Sequence, residues 1–199
     1  RVAREVGLEV PATLITNDPE AVRSFVGRHP AGVVCKMLTS FAVYDEEGRE
    51  NVVFTNLLTE ADLTDLAGLS LSPMTFQEAV AKEVELRVTV IGRRVFSASI
   101  DSQSSERAAH DWRRDGAALV GQWREHPLPA EAEQRLLALC DRLGLNYGAA
   151  DFILTPDGRL VFLEINPAGE WFWLEKAPGF PLSSEIAAVL TDPEARRVP

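Results

Sequence analysis

The chain has 199 residues, 46% of them apolar, which suffices for one compact core or two small ones. With 30 Asp and Glu against 20 Lys and Arg, its formal net charge is −10, a poor match for general nucleic-acid or membrane-surface binding. No run approaches the roughly 18 apolar residues of a membrane span, and no signal peptide is visible.

The chain opens on Arg1 inside a helical pattern that ends near Val6, so an N-terminal portion is expected to be missing. A short strand follows over 12–16. Asn17 or Asp18 then caps a helix with Pro19 in its first turn, running to about Val26. Residues 32–38 form an apolar strand that contains Lys36. Phe41 to Tyr44, a turn at Glu46-Glu47-Gly48 and Val52 to Thr55 read as a hairpin, and Thr59-Glu60-Ala61-Asp62 opens a short helix. Residues 84–91, a Gly92-Arg93-Arg94 turn and 95–100 make a strong antiparallel hairpin. Residues 101–116 are polar and loop-like. A helix from Pro129 to Leu143 ends at Gly144, and the last helix covers Ser183 to about Leu190. Antiparallel hairpins with segregated helices give an α+β class. Cys35 and Cys140 sit far apart in apolar patterns, which favours buried free thiols in a reducing cytoplasm over a disulfide.

The chemistry is densest at Phe162-Leu163-Glu164-Ile165-Asn166-Pro167. Glu164 and Asn166 are two residues apart in a strand pattern and project from one face. Asp151 begins a second apolar strand, and Pro156-Asp157-Gly158 between the two reads as a turn. The resulting hairpin brings Asp151 next to Glu164 and Asn166. Two carboxylates and an amide oxygen suit Mg²⁺ when phosphate oxygens complete its shell. A polar strand end facing solvent is the plainer reading of Glu164 alone.

Other residues admit two readings each. Lys36 is an exposed edge residue or a phosphate-binding ammonium. Arg87 pairs structurally with Glu85 on its own strand face, or acts on a substrate. Arg113, in Asp111-Trp112-Arg113-Arg114, is a solvated loop arginine or a clamp for phosphate or carboxylate. Gln77-Glu78 is uninformative alone. His29, His110 and His126 lack zinc spacing and read as surface residues. Ser102-Gln103-Ser104-Ser105 has no nucleophile-elbow pattern, and no Gly-rich phosphate loop occurs. Trp171-Phe172-Trp173, with Phe180, is core by default, although its loop setting leaves room for a pocket lining.

In chain order, Lys36, Phe76-Gln77-Glu78, the hairpin from Glu85 to Gly92, Asp111-Trp112-Arg113, Gly148-Ala149-Ala150-Asp151 and Glu164-Ile165-Asn166-Pro167 resemble an ATP-grasp ligase. Each motif is weak alone; six in order are specific. Residues 10–17 and 162–175 are similar to the microviridin-type, or graspetide, peptide maturases, related to the ribosomal-protein glutamate ligases. The resemblance implies two α+β subdomains, 1–75 and 76–199, gripping ATP. It implies phosphate binding by Lys36, an adenine side at Gln77 and Glu78, contacts from Arg87 and Arg113 to phosphate or an acyl phosphate, and Mg²⁺ on Asp151, Glu164 and Asn166. It also implies an N-terminal domain that this chain lacks, with a second phosphate-binding lysine near where the chain starts. Arg114-Asp115-Gly116 departs from the Arg-Gly-Gly run of the glutamate ligases.

The implied activity is ATP-dependent joining of Asp or Glu side chains of a ribosomal precursor peptide to Ser, Thr or Lys side chains. Addition of an amino acid to a peptide or protein carboxylate is the enzymatic alternative. A non-catalytic nucleotide- or peptide-binding module is the alternative of another class. Homodimerisation is common among related ligases, and no residue pattern here decides it.

Overall fold

The computed structural model describes residues 1–38, 42–52, 54–104 and 112–198. Its residues divide into two units. One comprises Pro11–Val80 with the described residues 112–114; the other comprises Arg1–Val10, residues 81–104 and residues 115–198.

The first unit is built on strands β1 (Thr13–Thr16), β2 (Val33–Lys36), β5 (Asn56–Leu57) and β6 (Met74–Glu78), all antiparallel in the order β1-β6-β2-β5. A separate ribbon pairs β3 (Ala42–Tyr44) with β4 (Glu50–Val52). The helix Pro19–Arg28 starts because Asp18 accepts the Glu20 N–H at 2.9 Å, with Pro19 in the first turn. Val22 and Phe25, three residues apart, face the sheet and bury against Val33, Phe76 and Leu69. Alternation along the strands therefore gives Leu14, Cys35 and Phe76 to the helix side. Thr13, Ile15, Lys36 and Gln77 go to the opposite face.

The second unit carries β7 (Val84–Ile91), β8 (Arg94–Ile100), β9 (Arg124–Glu125), β10 (Tyr147–Leu154) and β11 (Leu160–Asn166), antiparallel in the order β11-β10-β7-β8-β9. The helix Ala130–Leu143 lays Leu136, Leu139 and Cys140 on Leu86, Val88, Ala150, Phe152 and Phe162. It stops at Gly144, whose φ of 68° is left-handed, as Leu145 N–H closes on Cys140 O at 2.9 Å. The first ten residues belong here because Glu9 lies beside Val161 and accepts the Phe162 N–H at 2.8 Å. Arg142 also meets Glu5 at 2.7 Å.

Several expectations change. The boundary at residue 75 falls inside β6, the strand that joins β1 to β2, so the chain leaves the first unit only at Val80. The sequence pattern predicts neither strand β9 nor the helix Trp173–Lys176, because each is too short to show a period. His29 is not a surface residue: its ring lies 4.2 Å from that of Phe25, and its side chain is 18% exposed. Cys35 and Cys140 are both free thiols, pushed up to about 11 chiefly by burial. Among the described residues no helix is long and apolar enough to cross a membrane. The expected loop over 101–116 shows short 3₁₀ turns at Ser102–Ser104 and Trp112–Asp115; Ser105, His110 and Asp111, like Phe41, lie outside the described residues.

Candidate functional site

Register assembles the polar face of the five-stranded sheet. Asp151 on β10 stands opposite Arg87 on β7 and opposite Glu164 on β11. One step along, Ala149 stands between Thr89 and Asn166. Directly opposed residues share a face, so Arg87, Asp151, Glu164 and Asn166 come together on the side away from the Ala130–Leu143 helix.

Strict alternation would not do this. Phe162 and Glu164 are two apart and would share a face, yet Phe162 is core. The pairing shifts between Asp151 and Phe152, so that Asp151 meets Glu164 while Phe152 meets Phe162. Leu163 is the extra residue of a β-bulge, and the bulge turns Glu164 and Asn166 outward to the polar face. Both are exposed.

Arg87 is 7% exposed, and its Nε lies 2.8 Å from Asp151 Oδ1. The contact is ionic rather than a directed hydrogen bond, since the buried Nε–H meets no acceptor at hydrogen-bond geometry. Glu85 is not its partner, because Lys82 holds Glu85 at 3.0 Å. The Trp173 ring lies 5.4 Å from the guanidinium, a cation–π distance. Of the aromatic cluster, Trp173 is thus buried over Arg87, Phe172 is exposed, and Phe180 packs against Phe96 at 5.5 Å.

The loop after β11 folds back over this face. Asn166 Oδ1 accepts the Ala168 N–H at 2.8 Å, and the Tyr147 hydroxyl donates to Gly169 O. A Cβ at Gly169 would lie 2.5 Å from Ala149 Cβ and 3.3 Å from Arg87 Nη1, so only glycine fits without displacement. Burial pushes the Tyr147 hydroxyl up to about 12 despite the lowering influence of Arg87, and it keeps its proton for that bond.

No three His, Cys, Asp or Glu side chains gather into a metal group among the described residues. The donor set here is two carboxylates and an amide. It suits a hard divalent cation that takes its remaining ligands from phosphate and water. Asp151 and Glu164 are like charges directly opposed across a strand pair, an arrangement a cation relieves.

The four-stranded sheet presents a different set. Lys36 Nζ donates to Gln77 Oε1 at 3.0 Å. Gln77 Nε2 donates to Thr13 Oγ1 at 3.0 Å, and that hydroxyl donates to Pro11 O at 3.0 Å. Glu78 turns the other way, toward the helix side, where its carboxylate lies 3.7 Å from His29 Nε2. Its side chain is therefore separated from Lys36 and Gln77, as alternation requires. Arg113 is exposed on its 3₁₀ turn. Its neighbour Arg114 donates to Thr55 O at 3.0 Å and to Asn56 Oδ1, with its guanidinium 5.5 Å from the Phe54 ring.

Solved structures share this architecture throughout. A RiPP-associated ATP-grasp ligase of Chryseobacterium gregarium, in complex with ADP and a leader and core peptide, is 44% identical, with a TM-score of 0.94 over all of this chain and 59% of its own. The chain has the ATP-grasp fold. The Microcystis aeruginosa macrocyclase MdnC, bound with precursor peptide MdnA, is 45% identical (TM-score 0.85), and macrocyclase MdnB is 36% identical (TM-score 0.74). Each match covers 96% of this chain and 57% of the other. This ATP-grasp chain thus spans a little under three fifths of the length of those relatives. No family profile and no curated protein matches it.

Proposed function

We propose that this ATP-grasp chain is the nucleotide-handling part of a ligase that acts on a ribosomal precursor peptide. An Asp or Glu side chain of the peptide takes the terminal phosphoryl group of ATP, and a Ser or Thr hydroxyl or a Lys amine then displaces phosphate. The net change in the peptide is loss of one water per ring. The observation that carries the reading is the row Arg87–Asp151–Glu164 with Asn166 beside it. The likeness over the whole chain to ligases solved with ADP and peptide supports it.

Asp151, Glu164 and Asn166 would hold Mg²⁺, which when bound neutralises phosphate charge and orients the transferring group. Arg87, fixed by Asp151 and Trp173, offers a rigid guanidinium to the developing charge on phosphate or acyl phosphate. Lys36 binds a phosphate of the nucleotide as a point charge. Arg113, exposed on its turn, is assigned to the phosphate or acyl-phosphate side, and Gln77 to the nucleotide-binding sheet face. Glu78 serves the adenine side through its backbone alone, since its carboxylate lies beside His29.

The test is incubation of the protein with ATP, Mg²⁺ and a precursor peptide encoded beside it, followed by mass measurement. ATP-dependent loss of water from the peptide is expected. A mass gain of one amino acid would assign a tailing ligase instead. ATP binding without any mass change would leave a binding module and overturn the ligase reading.

A further inference from the structure

The Gln77 amide is held at its nitrogen end by Thr13, and at its oxygen end it meets Lys36. A threonine hydroxyl has one hydrogen to donate. That of Thr13 is spent on Pro11 O, so toward Gln77 the hydroxyl can only accept. The Gln77 NH₂ must therefore face Thr13, which turns Oε1 toward the Lys36 ammonium. With the amide reversed, both bonds fail together: two acceptors would meet at Thr13 and two donors at Lys36. Gln77 is 7% exposed, so water offers little compensation for a lost partner. Register supports the same chain, since Thr13 stands directly opposite Gln77 and Lys36 lies on the far neighbour of β6.

We propose that Thr13 is a positioning residue for nucleotide binding: through Gln77 it fixes where the Lys36 ammonium stands. The proposal rests on Lys36 binding a phosphate of the nucleotide, as assigned above. Thr13 lies on edge strand β1 and is exposed, so its substitution by valine suits the strand and removes only the hydroxyl.

The experiment is calorimetric titration of Mg-ATP into the protein and into Thr13→Val, Thr13→Ser, Lys36→Met and the double variant Thr13→Val/Lys36→Met. Thr13→Val is expected to weaken binding roughly fivefold or more, the scale of one lost hydrogen bond to a charged group's holder. Thr13→Ser keeps the hydroxyl and should stay within about twofold. In the Lys36→Met background, Thr13→Val should cost nothing further, because the group it positions is gone. Equal loss from Thr13→Val with and without Lys36 would show a merely structural role and overturn the proposal. So would wild-type affinity in Thr13→Val, or a Thr13→Ser as weak as Thr13→Val. Wild-type affinity in Lys36→Met is the separate outcome that removes the Lys36 assignment itself, and the Thr13 role with it.

Discussion

Asp151 has a cation on one side and an anion on the other, and the two contacts call for opposite outcomes on substitution. Arg87 is nearly buried, so Asp151→Asn leaves its charge under-compensated. Without metal, that variant is expected to lose about 1–3 kcal/mol of stability. Glu164 is exposed and directly opposes Asp151, so Glu164→Gln removes a repulsion. Without metal it should be as stable as the parent or gain up to roughly 1 kcal/mol. Mg²⁺ with ADP is expected to raise the thermal stability of the parent, and both variants should lose that gain. Thermal unfolding in EDTA and in Mg²⁺ with ADP separates these cases. If Glu164→Gln retains the full Mg²⁺-dependent shift, Glu164 is not a metal ligand.

At the scale of elements, the polar face depends on two close fits, the bulge at Leu163 and the return of the 167–170 loop. Gly169→Ala places a methyl 2.5 Å from Ala149 Cβ and against Arg87 Nη1. It should cost about 1–3 kcal/mol by overpacking. Ala149→Gly removes the opposing carbon, so the double variant Ala149→Gly/Gly169→Ala should melt above Gly169→Ala alone. A Gly169→Ala protein that melts with the parent would show that the loop does not rest on this face. The sequence reveals part of this arrangement and hides the rest for identifiable reasons. Periodicity and caps show the β7–β8 hairpin, the helix closed by Gly144 and the Asp18 cap, because those signals are local. The proximity of Asp151, Glu164 and Asn166 is also legible, from two strands and a turn. The bulge that makes Glu164 face away from Phe162 is not, since an extra residue leaves no mark on an apolar run. The Arg87–Asp151 pairing needed the β7–β10 register, which joins strands more than fifty residues apart. Thr13 was hidden for the same reason: it matters only once β1 lies beside β6.

At the scale of the molecule, charge constrains what can approach. The chain carries −10, and Mg-ATP is itself still an anion, so the bulk field opposes nucleotide arrival. Among the described residues, the cations assigned to the nucleotide are Arg87, Lys36 and Arg113. Arg87 is matched by Asp151, Glu164 adds a further negative charge to that row, and Lys36 is a single ammonium on the other sheet. Raising salt from about 0.01 M to about 0.15 M shortens the screening length from roughly 30 Å to roughly 8 Å, which weakens the repulsion more than it weakens contacts inside the site. The association rate of Mg-ATP should therefore rise over that range, measured by stopped-flow with a fluorescent ATP analogue. A labelled oligonucleotide should show no binding at the upper salt, because an acidic surface offers few cations to displace the counterions condensed on the phosphates. A nucleotide association rate that falls steeply with salt would mean that a concentrated cationic funnel outweighs the net charge. Lys36 would then be one of several phosphate-steering cations, and Arg113, exposed on its 3₁₀ turn, would be the first to substitute.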